Sequence, residues 1–156
     1  MKVALGSDKS GFNLKEAVKQ YLIDNNIEFD DLGTTDTEHA KGYFVVAPIV
    51  AEKIQSGEYD RGIIVCGTGA GMSIVANKYK GVHAVACESV YTAKMARAIN
   101  NAQILTMGGW IVAPEMGVKM AEAFLTTEWL EGLEEWRKVW LTGAAEQLGK
   151  LEETMF

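Results

Sequence analysis

The sequence predicts an α/β protein, a three-layer α/β/α sandwich built on a Rossmann-like, five-stranded parallel sheet and finished by a long C-terminal helix. Three observations predict it. Short apolar runs rich in β-branched residues recur at Lys2 to Leu5, Ile27 to Leu32, Gly62 to Cys66, His83 to Cys87 and Gln103 to Met107, each the length of a buried strand. Stretches with helical spacing separate them; in the first, Leu14, Ala17, Val18, Tyr21 and Leu22 fall on one face. Glycine or polar residues follow three of the strands at once, as GSDKSG, CGTGAG and MGGW. Strand and helix in alternation call for crossover connections and a sheet covered on both sides. The three loops then gather at the carboxyl edge, where ligands bind in such folds.

A chain of 156 residues with 48% hydrophobic content suffices for one substantial core. With only Pro48 and Pro114 and no low-complexity linker, residues 1–156 read as one domain. No apolar segment follows a basic start, and no run of about 18 apolar residues occurs, so neither a secretion signal nor a membrane span is expected. Cys66 and Cys87 sit inside apolar runs without disulfide or metal-ligand spacing, which fits a reducing cytoplasm. The net charge is −6 and no dense Lys/Arg run appears, which argues against a nucleic-acid partner. An anionic small molecule stays open, because a few placed cations outweigh a mildly acidic surface.

Residues 128–156 differ in kind from the rest. Apolar residues at 129, 133, 136, 140, 148 and 151 form a helical stripe from Trp129 to Leu151, interrupted near Gly143 and carrying Trp129, Trp136 and Trp140. Such a helix either packs across a subunit interface or folds back on its own sheet.

The segment from Ile63 to Ser73 carries the chemistry. A buried strand ends at Cys66 and runs into Gly67, Gly69 and Gly71, which let the backbone bend and bring N–H groups close to a ligand. A helix starting near Ala70 adds its positive end, and the loop suits an oxyanion. A dinucleotide site is the rival reading, with Glu88 as ribose ligand, but GTGAGM lacks the third glycine of that fingerprint. Cys66 by itself reads equally as a small core residue; its place at a strand end beside backbone N–H groups favours a reactive thiol.

Together these residues resemble one family, the type B ribose-5-phosphate isomerases and the related galactose-6-phosphate isomerase subunits. The resemblance spans roughly residues 1 to 140 and rests on Gly6-Ser7-Asp8-Lys9-Ser10-Gly11, Asp31-Leu32-Gly33-Thr34, Cys66 through Ile74, Ala76-Asn77-Lys78, and Arg97 with Asn100-Asn101. It implies an aldose–ketose isomerase for a sugar phosphate that needs neither metal nor organic cofactor. By the resemblance, Cys66 moves the proton on the carbon beside the carbonyl, Thr68 relays the hydroxyl proton, and Asn100 with the N–H groups of Gly67, Gly69 and Gly71 stabilises the enediolate. Asp8, Lys9, Tyr43 and Arg137 match sugar- and anion-binding positions. The implied assembly is a homodimer or dimer of dimers, each active site completed by the neighbouring subunit. From the residues alone, Asp8 reads equally as a helix-capping carboxylate and Tyr43 as a core-edge tyrosine. His83 reads as structural, and His39 lies in a polar loop.

The departures from the family pattern fall on two jobs. The ring-opening histidine expected before Asn100 is Ile99, which cannot exchange a proton. At anion-binding positions a histidine is Lys9, an arginine after the fifth strand is Trp110, and one of two C-terminal arginines is Leu133, while Arg137 remains. The family's Asp-Tyr-Pro reads Gly42-Tyr43-Phe44. The expected substrate is therefore acyclic or readily opened, such as a tetrulose phosphate. The alternatives are a non-catalytic subunit or sugar-binding module of the same fold, and an isomerase for a non-phosphorylated or acidic sugar.

Overall fold

The computed structural model describes residues 1–156. Five strands, β1 (Lys2–Ser7), β2 (Glu28–Asp31), β3 (Arg61–Cys66), β4 (Ala84–Ala86) and β5 (Ile104–Gly108), form one sheet in the order β2-β1-β3-β5-β4. Every pairing is parallel. The helices are α1 (Phe12–Asp24), α2 (Tyr43–Gln55), α3 (Ala70–Ala76), α4 (Val90–Ala98), α5 (Pro114–Thr126) and α6 (Glu135–Met155).

Alternation along the strands sorts side chains into two apolar layers. Val3, Leu5, Ile63, Val65, Leu105 and Met107 pack with α1, α4 and α5. Ala4, Ile64, Cys66 and Ile104 pack with α2 and α3. Both sheet faces are thus covered, which is why the strands read as continuous apolar runs. The path leaves β1 on one side for β2 and returns on the other to β3, so the β1–β3 crevice is a topological switch point.

Boundaries shift by one or two residues at several strand ends, and two differences carry a physical reason. The β4 strand keeps only three residues, because it is a sheet edge. Asn77 covers that edge, its side chain donating to the Ala84 carbonyl at 2.8 Å and accepting from the Ala84 N–H at 2.8 Å, as a neighbouring strand would. The C-terminal helix starts at Glu135, six residues later than the stripe predicts. Leu130 and Gly132 adopt positive φ, and Trp129 lies in a strap tied by the Leu130 N–H to the Ala98 carbonyl at 2.9 Å. Along α6 only Leu141 is buried, and Trp136 and Trp140 are 63% and 67% exposed.

Candidate active site

At the carboxyl edge, the loop after β3 is fastened from three sides. Cys66 is 4% exposed, and its Sγ accepts the Gly69 N–H at 3.2 Å. Gly69 has φ +81, and a Cβ there would lie 3.0 Å from the Met107 backbone, so glycine is required on both counts. The buried Thr106 hydroxyl of β5 donates to the Gly69 carbonyl at 2.8 Å. The Gly109 N–H donates to the Cys66 carbonyl at 2.7 Å and the Trp110 N–H to the Gly67 carbonyl at 3.0 Å. The N–H groups of Gly67, Thr68, Gly71 and Met72 have no acceptor within the chain. The last two open α3, and all four are free for a ligand oxyanion. Thr68 is exposed, its hydroxyl accepting the Ala70 N–H at 3.3 Å.

Two aromatic rings wall this loop. The Trp110 indole lies against Gly67, where a Cβ would meet it at 2.8 Å, and the Tyr43 ring lies 3.1 Å from the Cβ position of Gly71. Trp110 is otherwise 74% exposed. Tyr43 is the first residue of α2, and the segment before it is set by the Asp31-Leu32-Gly33-Thr34 motif. Asp31 pairs with the fully buried Lys15 at 2.6 Å, Gly33 brings its backbone against Ser7, and the buried Thr34 hydroxyl accepts the Lys41 N–H at 3.0 Å. Tyr43 thus walls the glycine loop rather than filling the core.

The loop after β1 completes this edge. The Asp8 N–H donates to the Val65 carbonyl at 3.1 Å, and Asp8 Oδ1 accepts the Gly11 N–H at 3.0 Å. The carboxylate therefore closes the turn into α1 through one oxygen. Gly109 sits against the Ser10 carbonyl, a Cβ there falling within 2.4 Å, so the β1 and β5 loops touch. Lys9 is exposed and without an ion-pair partner. Asp8, Lys9, Tyr43, Cys66, Gly67, Thr68, Gly69 and Gly71 are all brought to this one edge.

Asn100 and Arg137 are not. Asn100 precedes β5, whose Ile104 pairs with Gly62 and whose Gly108 pairs with Cys66. About 13 Å of strand therefore separates Asn100 from Cys66, and the two face opposite edges of the sheet. At the amino edge, Ile99 shares a cleft with Trp136, Arg137 and Trp140. A cavity of about 500 Å³ between the sheet and α6 is lined by Asn100, His83, Gln103, Trp129 and Leu148 among others. The Arg137 guanidinium lies 5.0 Å from the Trp136 ring and 3.8 Å from the Glu134 carboxylate.

The matched segment and its relatives decide the family. A family model described as Ribose/Galactose Isomerase matches residues 3–140. This chain belongs to the ribose/galactose isomerase family. Among its relatives, 4-deoxy-4-sulfo-D-erythrose isomerase of Clostridium sp. (strain MSTE9) is 58% identical over 156 residues, covering 100% of this chain and 98% of the relative. D-erythrulose-4-phosphate isomerase 2 of Mycolicibacterium smegmatis is 41% identical over 136 residues, 86% of each chain. The solved structure of Clostridium thermocellum ribose-5-phosphate isomerase B superposes over 100% of both chains with a TM-score of 0.90 at 34% identity. The chain is accordingly an isomerase that interconverts an aldose and a ketose, on the α/β/α fold expected of it.

In this ribose/galactose isomerase both histidines pair with carboxylates. The His83 ring reaches Glu152 at 2.8 Å, fixing α6 to the sheet, and His39 pairs with Asp36 in an exposed turn. Burial pushes the Cys87 thiol up, against a weaker opposing bond from Thr92. No three His, Cys, Asp or Glu residues gather as a metal site, and no helix is long and apolar enough to cross a membrane. Sequence reasoning quoted Thr34 within a motif without giving it a role, and it missed Thr106, whose one signal is a hydroxyl within an otherwise apolar strand. It also assigned no role to Arg97, which is 2% exposed and whose guanidinium burial pushes down to about 10.

Proposed function

We propose that this isomerase interconverts 4-deoxy-4-sulfo-erythrose and 4-deoxy-4-sulfo-erythrulose, as a homodimer whose two active sites are each shared between subunits. The observation that carries the substrate is Ile99 beside Asn100 in the amino-edge cleft. An aliphatic side chain there cannot move a proton on or off a ring oxygen. A four-carbon chain with its sulfonate on C4 has no hydroxyl that closes a furanose on C1, so it needs no ring opening. The relative at 58% identity is named for this sugar.

The charges favour the same anion. A sulfonate carries one negative charge, whereas a phosphate carries about 1.5 to 2 near neutral pH. The cations available are Lys9 and Arg137, and Arg137 already faces Glu134. Trp110 and Leu133 add apolar surface rather than further cations. Phosphorylated tetroses and ribose 5-phosphate are therefore expected to be turned over more slowly.

Cys66 as thiolate takes the C2 proton of the aldose, and the electron pair forms the C1–C2 double bond while O1 gains the charge. The N–H groups of the Gly67–Met72 segment meet that oxyanion without reorganising. Thr68, at the loop's exposed tip, passes the O2 proton to O1, and the Cys66 thiol returns its proton to C1, leaving the ketone at C2. No atom is gained or lost. The partner subunit's Asn100 and Arg137 reach the oxyanion and the sulfonate, a sharing that the separation of the two edges in one chain supports. Uncovered apolar surface on α6 supports the dimer, since Trp136, Trp140 and Leu151 stay largely exposed on one chain. The two free thiols suit a cytoplasmic enzyme.

Proton exchange in heavy water, followed by NMR for the sulfo-erythrose pair, erythrose 4-phosphate and ribose 5-phosphate, tests the reading. The highest kcat/KM is expected for the sulfonate. A preference for the cyclic pentose phosphate would overturn it.

A further inference from the structure

The amino edge holds one large charged side chain that the mechanism does not use. Arg97, near the end of α4, is buried at 2% exposure. Its Nη1 donates to the Asn101 side-chain carbonyl at 3.0 Å and to the Ala102 carbonyl at 2.6 Å, and its Nε donates to the Thr127 carbonyl at 3.4 Å. The Phe124 ring lies beneath it at 5.9 Å. Every hydrogen-bond acceptor is a neutral carbonyl oxygen, and no carboxylate is in ion-pair contact; Glu128 favours the charge only from a distance, and Arg61 opposes it. This is an expensive arrangement for packing alone.

Those acceptors belong to two segments. One is the turn from Ile99 to Ala102, in which Asn101 holds φ +49 and Asn100 faces solvent. The other is the end of α5, from which the strap through Trp129 and Leu130 leads to α6 and Arg137. A planar fork with fixed donor directions sets the angle between two such segments, which an apolar side chain does not do.

We propose that Arg97 is the positioning residue of the amino-edge half-site, fixing at once the turn that presents Asn100 and the strap that leads to Arg137. This rests on the shared-site reading above. Arg97 itself touches no substrate. Its loss should leave the carboxyl-edge loops intact, since none of its hydrogen bonds reaches them.

That separation gives the test. Arg97→Met homodimers are expected to lose at least about tenfold in kcat, the size of effect seen when a catalytic group is slightly misplaced, and Arg97→Lys to recover part of it. A purified heterodimer of one Cys66→Ser chain and one Arg97→Met chain contains one site with both halves intact. It should regain roughly half the wild-type rate per dimer. No recovery there, while a Cys66→Ser/Asn100→Ala heterodimer does recover, would overturn the role of Arg97 and leave the shared site standing. No recovery in either removes the shared site and this inference with it. Should Arg97→Met not fold, Asn101→Gly removes one acceptor while tolerating the positive φ. It is expected to lower kcat by about threefold or more with little change in KM, and an unchanged kcat would overturn the assignment.

Discussion

The two edges of the sheet hold their functional residues by different means. At the carboxyl edge, three strand-end loops interlock through backbone: Gly109 N–H to Cys66 carbonyl, Trp110 N–H to Gly67 carbonyl, Asp8 N–H to Val65 carbonyl. Their glycines sit where any Cβ would collide. At the amino edge, Asn100 projects from a turn whose backbone bonds to the end of α4 are supplemented by the Arg97 guanidinium, and Arg137 rides on a helix that buries a single residue of its own. In the proposed mechanism the proton-moving chemistry stands on interlocked backbone, and the anion-binding side stands on a helix whose apolar face is left uncovered in one chain. In that reading, substitutions at the second edge such as Ile99 and Leu133 alter specificity without disturbing the first.

The harshest way to break this comparison is to remove the second edge. Truncation after Thr127 deletes Arg137 and α6 but only one buried apolar side chain. It is expected to give monomers by sedimentation that still unfold cooperatively and show no isomerase activity. An active monomer would show that the carboxyl edge suffices alone.

At the first edge, Cys66→Ser is expected to keep the fold, the dimer and substrate binding while lowering turnover at least about a hundredfold, the lower end for losing a positioned base. Near-normal proton exchange by this variant would take Cys66 out of the mechanism.

Ile99→His sharpens the account of specificity. It is expected to narrow the gap between the four-carbon sulfonate and ribose 5-phosphate by up to about tenfold, within the range of general acid–base assistance. Measured kcat/KM values for both substrates check it, and a gap that stays the same would separate ring opening from position 99.

Thr106→Val tests how the catalytic loop is held. Losing its bond to the Gly69 carbonyl should lower stability by about 1 kcal/mol in denaturant unfolding, because Gly69 O still accepts the Ser73 N–H at 3.1 Å. The smallest effect concerns pH. As pH falls through the second ionisation of phosphate near about 6, erythrose 4-phosphate becomes a monoanion like the sulfonate. The ratio of kcat/KM, sulfonate over phosphate, should then fall a few-fold, and a ratio flat with pH would show that charge does not set the preference.

Strand positions, the two covering layers and the carboxyl-edge loop cluster were legible in the chain, because period-two burial and glycine at strand ends are local consequences of sterics. The place of Cys66 at a strand end before its glycines was legible for the same reason, and so was His83 as a structural residue. The late start of α6 was not, since Trp129 and Leu133 keep helical spacing while the positive φ of Leu130 and Gly132 answers to the Leu130–Ala98 bond. The dual nature of Asp8 was settled only in part by folding, one oxygen closing the turn at Gly11. Tyr43 reached the glycine loop because Thr34 and Gly33 bend a distant segment toward Gly71. Asn100, just before the fifth strand, falls on the far edge from Cys66 as a parallel sheet requires. Only the tertiary structure set Arg137 there, because the docking of α6 beside Ile99 and His83, which no local spacing encodes, decides which end of the sheet that helix serves.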